Sequence, residues 1–267
     1  MISALVINLD DSTERLAFQC RQLTHLQIPM QRLAAVNSSD ILIDRYEQLS
    51  NGWERKMRVA EVACFLSHKA AWQYVLDTDK PWLILEDDAL LSHKTADVLT
   101  ALCSQVGEVD YVNLETRYRR KWLSKKVKTL IAGYELRQLY QDRTGAAAYI
   151  LFPSGAQKLL KRAEYSAPAL ADAFLCRSYE LNAWQIYPAA AIQLDQCINY
   201  DLKPPVSFVS TITPQNNLKP RANNLYSSIH FKCRRLASQI RMGWRQLSVL
   251  RCAQRMMVPI RNSDFEV

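Results

Sequence analysis

The stretch WLILEDDALL, residues 82–91, sets three consecutive acids, Glu86, Asp87 and Asp88, directly behind four apolar residues that read as a buried strand. Crowded carboxylates repel one another, so the arrangement is favourable only with a cation among them or water around them. Hard oxygen donors at a strand end suit Mg²⁺ or Mn²⁺, ions that keep waters and ligand phosphates in their remaining positions. A turn whose acids are simply solvated, or which cap the next helix, has the same composition. What favours the cation is the apolar strand, because it anchors the carboxylates at a rigid point.

The elements that would position these acids follow from periodicity. ALVINL (4–9) is a short β-branched run; in the next stretch Asp11 and Glu14 are spaced as a helix cap, and Leu16, Cys20, Leu23 and Leu26 recur at helical spacing up to Pro29. QRLAAV (31–36) completes a β-α-β unit, which favours a parallel sheet. Residues 60–77 carry a second helical pattern, Pro81 resets the chain, and VDYVNL (109–114) and GAAAYILF (145–152) read as further strands. Pro153 and Ser154 open a helix, ALADAFLCRSYEL (170–182) reads as another, and AWQIYPAAAIQ ends the sheet region near 193. Residues 115–135, basic and without clear periodicity, read as a long functional loop. The alternation predicts an α/β fold with a central, mostly parallel sheet flanked by helices, whose strand ends open on a binding crevice.

A hydrophobic fraction of 49% and a charged fraction of 22% over 267 residues exclude a wholly disordered chain. Seven cysteines, odd in number and never spaced as C-x-x-C, argue against a disulfide framework or a zinc motif and fit a reducing cytosol. The opening MISALVINLD lacks a basic leader, and no apolar run reaches the roughly 20 residues that span a bilayer, so neither export nor a membrane span is expected. The net charge of +8 is unevenly placed: residues 202–263 hold eleven Lys and Arg and no acid. The expected organisation is one α/β domain over 1–200, a Pro/Asn-rich linker or draped segment over 201–224, and a basic amphipathic helical extension over 225–267. In that extension Ile229, Cys233, Leu236, Ile240, Trp244 and Leu247 form a stripe beside arginines, a mixture suited to an anionic membrane surface or to packing on protein.

VINLDDSTERL, RLAAVNSSD, AEVACFLSHKAAW, WLILEDDALL and GAAAYILFPSGAQKLL resemble, in order and over roughly residues 4–195, the successive motifs of glycosyltransferase family 25, which includes bacterial lipooligosaccharide galactosyltransferases. Where that family commonly carries glycines this chain has Ala60 and Ala63, and its acidic triplet opens with Glu rather than Asp. The resemblance implies a GT-A-type fold that binds a UDP-sugar, usually UDP-galactose. It also implies a D-x-D-like metal site in which Asp88 holds Mn²⁺ (or Mg²⁺) against the diphosphate, Asp87 assists and Glu86 lies near the donor ribose. It gives Asn8, Ser12, Arg15, Ser67 and His68 donor-binding roles. From the residues alone, Arg15 reads equally well as part of a solvated helix face, and His68 as a structural histidine.

The resemblance implies inversion at the anomeric carbon, which needs a general base for the acceptor hydroxyl. Asp172 in ALADAFL matches an acid of the family's downstream motif, and Glu115 after YVNL is the alternative; either could instead cap a helix or pair with a cation. The implied acceptor is a lipid-linked lipooligosaccharide or lipopolysaccharide core at the cytoplasmic face of the inner membrane. Basic and aromatic residues interleave in RYRRKWLSKKVK, where a phosphorylated saccharide core explains them better than nucleic acid does, since no nucleic-acid module is evident. A non-catalytic sugar-nucleotide-binding protein is the rival reading, and the intact triplet speaks against it. The sequence sets no oligomeric state.

Overall fold

The computed structural model describes residues 1–103, 109–142, 144–206, 208, 220 and 225–265; the expected linker at 201–224 lies largely outside the described residues. The apolar run at the amino terminus becomes β1 (Ser3–Asn8), and α1 (Thr13–His25) returns the chain to β2 (Met30–Ala34), parallel to β1. After α2 (Ile43–Ser50) and α3 (Val59–Thr78), β3 (Trp82–Glu86) lies parallel to β1 on its other side. Next come β4 (Ala89–Leu91), α4 (Thr95–Leu102) and β5 (Tyr111–Asn113), then β6 (Arg120–Ser124), β7 (Lys128–Ile131), β8 (Tyr134–Gln141) and β9 (Ala148–Leu151). The chain ends with α5 (Pro153–Tyr165), α6 (Ala171–Arg177), β10 (Ala183–Tyr187), β11 (Ala191–Gln193), α7 (Leu225–Val249) and β12 (Ala253–Met257).

Ten strands form one sheet in the order β12-β6-β8-β10-β5-β9-β3-β1-β2, with β7 added along β8, while β11 and β4 pair separately. Period-2 alternation explains why its central strands are apolar throughout. Ala4, Val6, Leu83, Leu85, Ala148 and Ile150 face the layer holding Leu23 of α1 and Val98 and Leu99 of α4. Leu5, Ile7, Ile84, Tyr149 and Leu151 face Phe65 and Trp72 of α3, Leu159 of α5 and Phe174 of α6. Both faces are covered, so neither can carry a polar alternation.

The predicted α/β sheet flanked by helices is therefore present, but its parallel character is confined to β2-β1-β3 and to β5 with β10. A parallel pair needs a crossover of a dozen residues or more, and among the described residues no helix lies between β5 and Pro153 to carry one. β6 to β9 accordingly pair antiparallel to their neighbours.

The expected loop at 115–135 is corrected to strand: it contains β6, β7 and the start of β8. Its period was masked because Lys121 occupies an inward position, buried and paired at 2.6 Å with Asp142, while donating to the Glu115 carbonyl and to Gln185. A two-residue hairpin with Gly133 at φ 81° joins β7 to β8, a conformation glycine adopts without penalty. Two helices are shorter than their patterns suggested. α6 stops at Arg177, and the helical extension expected over 225–267 is helix only to Val249, after which β12 pairs with β6 in the main sheet. Among the described residues no helix is long and apolar enough to cross a membrane.

The seating of α5 on the sheet depends on one missing side chain. A Cβ on Gly155 would fall 2.3 Å from the backbone oxygen of Asp110, so the helix could remain only by moving away from β5. Gly155→Ala is expected to lower the unfolding free energy by about 1–3 kcal/mol in urea denaturation; an unchanged midpoint and slope would contradict this packing.

Candidate active site

At the C-terminal edge of the parallel trio, β1 delivers Asn8 and β3 delivers Glu86, because the register sets Ile7 opposite Glu86. Asn8 is oriented by Arg32, whose Nε donates to its Oδ1 at 3.1 Å, and its own Nδ2 donates to the Ser12 carbonyl at 3.0 Å and to Asp87 Oδ2 at 2.8 Å. Arg15 Nη1 donates to the other Asp87 oxygen at 3.0 Å. Asp87 thus has both oxygens engaged by the chain itself.

Glu86 and Asp88 are held differently. Gln193, the last residue of β11, is carried across by the β11–β4 pairing, and its Nε2 lies 3.1 Å from Glu86 Oε2 and 3.3 Å from Asp88 Oδ1. One amide therefore serves two carboxylates. Burial, reinforced by the Glu86 charge, pushes the Asp88 carboxyl up to about 7 despite the Gln193 contact that lowers it. Such a cluster is short of positive charge, and a divalent cation fits it; Glu86 and Asp88 would hold the ion, with Asp87 fixed beside them by Asn8 and Arg15.

Beneath Glu86 a chain of hydrogen bonds sets a tautomer. The Trp72 indole can only donate, and it donates to Tyr149 Oη at 2.9 Å. Burial lifts the Tyr149 phenol well above its ordinary range, so the hydroxyl keeps its proton and directs it at His68 Nδ1, 2.9 Å away. His68 Nε2–H is then left to donate to Glu86 Oε1 at 3.1 Å. His68, four residues from Trp72 on α3, is both a buried structural residue and the support of Glu86. Ser67 is spent internally: its hydroxyl donates to the Ala63 carbonyl and accepts the Val36 N–H, both at 2.9 Å.

These groups line a two-lobed cleft. One lobe, about 280 Å³, is bounded by Asn8, Ser12, Arg15, Ser67, His68 and the acidic triplet; the other, about 270 Å³, by Arg58, Arg117, Gly145, Asp172 and Gln193. Ala60, Cys64 and Glu86 border both lobes. All eight residues expected at the donor and metal site are brought together in the first lobe. The two candidate bases are separated. Asp172, in the first turn of α6, faces the second lobe, accepts the Ala173 N–H at 2.6 Å and has its carboxyl raised chiefly by burial.

Glu115 is fully buried behind Gly145, where a Cβ would lie 3.0 Å from its Oε2. Its Oε2 accepts the Ala147 N–H at 2.9 Å, and its Oε1 has no hydrogen-bond partner among the described residues. Burial and the Glu86 charge push its carboxyl up to about 8.

Arg117, which opens the basic stretch RYRRKWLSKKVK, lines the second lobe, while Gln193, Tyr149, Trp72 and Cys64 are not singled out by the sequence. Gln193 had a usable signal, a polar residue closing the apolar run AAAIQ. The others are joined only by the fold. Cys64, His68 and Glu86 place ligand atoms within 4.8 Å of one another, a grouping that C-x-x-C spacing could not announce.

With its pKa raised from 3.8 to about 7, folded Asp88 keeps a proton that the unfolded chain releases in that interval. Its contribution to stability is full below about pH 4 and is lost as pH rises through about 7. Asp88→Asn should therefore raise the melting temperature of metal-free protein at pH 8 and leave it nearly unchanged at pH 4. Millimolar Mn²⁺ should raise the wild-type value at pH 8 and not that of the variant. A melting temperature indifferent to Mn²⁺ at pH 8 would remove the cation from this site.

Residues 1–175 match the family model described as glycosyltransferase family 25 (LPS biosynthesis protein). Over 209 residues, 74% of this chain and 78% of the relative, the sequence is 26% identical to the lipooligosaccharide biosynthesis protein lic2B of Haemophilus influenzae. It is 30% identical over 169 residues, 59% of each chain, to the lacto-N-neotetraose biosynthesis glycosyltransferase LgtE of Neisseria meningitidis serogroup B. Among solved structures, the crystal structure of A197 from STIV aligns with a TM-score of 0.40 at 11% identity, covering 84% of this chain and 96% of that one. With the family model covering 175 of the 267 residues, among them β1, α1, α3, β3 and the acids of the cleft, the chain belongs to glycosyltransferase family 25.

Proposed function

We propose that the protein transfers a hexose, galactose in our reading, from a UDP-sugar to a lipooligosaccharide or lipopolysaccharide core, with inversion at the anomeric carbon and a GT-A-type arrangement of donor and acceptor. The observation that carries this is the cleft divided at Glu86: one lobe has the acids and Arg15, the other has Asp172 and Arg117. Two lobes of similar volume meeting at one carboxylate suit two saccharide-bearing substrates whose reacting atoms come together at that waist. The relatives named for lipooligosaccharide and lacto-N-neotetraose biosynthesis support the acceptor class.

In the first lobe Arg15 lies beside the acids, where its guanidinium can reach a diphosphate while holding Asp87. Mn²⁺ or Mg²⁺ on Glu86 and Asp88, when bound, supplies Lewis-acid neutralisation of charge on the departing nucleoside diphosphate. The Trp72–Tyr149–His68 chain keeps Glu86 in one orientation without giving it a proton of its own.

In the second lobe Asp172 takes the proton from the acceptor hydroxyl. Its partial burial raises its basicity, and the Ala173 N–H leaves one oxygen available. Glu115, walled off by Gly145 and held neutral at pH 7, shapes the cleft floor and takes no proton from the acceptor.

Incubation with UDP-galactose, Mn²⁺ and truncated lipooligosaccharide, followed by mass spectrometry, should show one added hexose. Asp172→Asn should lower the transfer rate by about 10²–10⁴ with donor affinity within a few-fold of wild type. Glu115→Gln should retain transfer within a few-fold. A fully active Asp172→Asn enzyme would overturn the assignment of the base, and donor binding without transfer to any core acceptor would overturn the reaction.

A further inference from the structure

Helix α7 is mounted on the body with its longer apolar stripe turned outward. Phe231, Ser238 and Val249 are its buried positions. Arg177 donates to Ser238 Oγ at 2.6 Å, Arg234 donates to the Asn51 carbonyl, and Arg245 donates to the Tyr140 carbonyl at 3.2 Å while its guanidinium lies 5.3 Å from the centre of the Tyr179 ring. At about 100° per residue, Leu236 and Ile240, each two positions from Ser238, fall on the opposite side of the helix. There Ile229, Leu236, Ile240, Trp244 and Leu247 are 51%, 59%, 53%, 68% and 62% exposed. A continuous apolar stripe of this kind is not left to water without a partner.

We propose that this outer face of α7 docks the protein on an anionic lipid bilayer, the stripe lying among the headgroups and upper acyl chains. Charge selects this occupant. Lys232 and Arg241 stand exposed on the two flanks of the stripe, Arg251 follows its end, and the chain carries no acid from 202 to 263. A second copy packed through the same stripe would bring these cations together with no carboxylate to pair them, whereas anionic headgroups neutralise them. Trp244 adds a side chain suited to the headgroup level.

The helix is not a free tail, because β12 behind it is stitched into the sheet through five pairs with β6 from Ala253–Ser124 to Met257–Arg120. Docking therefore fixes the whole domain, and with it the cleft, at the surface. This inference is independent of the proposed reaction, since lipid vesicles contain no saccharide acceptor.

Deleting the chain beyond 224 would also strip β12 from the sheet, so the test uses substitutions confined to the outer face of the full chain. Flotation with phosphatidylethanolamine vesicles containing phosphatidylglycerol should recover the protein, with at least tenfold weaker binding to phosphatidylcholine alone and a marked loss in high salt. Ile240→Glu with Trp244→Glu should reduce binding at least tenfold while leaving the melting temperature and transfer to a soluble oligosaccharide unchanged. Undiminished vesicle binding by the double variant would overturn the proposal, as would equal binding to neutral vesicles. So would a concentration-dependent dimer, seen by sedimentation velocity, that the same substitutions abolish while wild-type protein ignores vesicles.

Discussion

The structure turns on carboxylates held too close together at the end of a buried strand. β3 cannot slide to separate Glu86 from Asp88, because Leu83, Ile84 and Leu85 are fully enclosed between two helical layers. Repulsion that a surface loop would relieve by moving is therefore retained, and it adds to burial, the larger cause, in raising the Asp88 carboxyl. Around this point the chain arranges four donors, Asn8, Arg15, His68 and Gln193. Four elements, β1, α1, α3 and β11, converge on one charge problem.

The same local field divides the remaining acids by environment. Asp172 and Glu115 both lie near Glu86 and both have raised carboxyls. One stands at the mouth of a lobe with a single backbone donor, and the other is sealed behind a glycine whose positive φ permits the close approach. Access, more than basicity, separates their roles. Lys121 makes that sealing feasible, for its buried ammonium pairs with Asp142 and fixes the Glu115 backbone from behind.

Much of this was legible beforehand. The central strands announce themselves because full burial on both faces requires unbroken apolar runs, and α1 and α3 because their core-facing residues repeat at 3.6, whereas the short helices α2 and α4 go unannounced. The acidic triplet and its neighbours Asn8, Ser12, Arg15, Ser67 and His68 were identified from motifs that stay local in sequence. Failure came where polar residues occupy buried positions. Lys121 disguises β6, and YELRQLYQ of β8 alternates only over its first four residues before the pattern breaks. At the carboxyl end the apolar stripe was correctly found, but periodicity states only that a helix has two faces and not which one the body takes.

By itself the sequence determined the apolar strand with its three terminal acids, the helices α1 and α3 that precede it and the concentration of cations after residue 202, because each is a matter of residue type at short range. Tertiary structure alone decided that Gln193, 105 residues from Asp88, would share its amide between two carboxylates, and that Tyr149 would choose the tautomer of His68. It alone decided that Asp172 would face the cleft and Glu115 would not. It also turned the apolar face of α7 outward, since the body offers that helix carbonyl oxygens and a hydroxyl-bonding arginine, which arginines and Ser238 satisfy and leucines cannot. Such choices depend on which distant surfaces meet, and no local pattern encodes them.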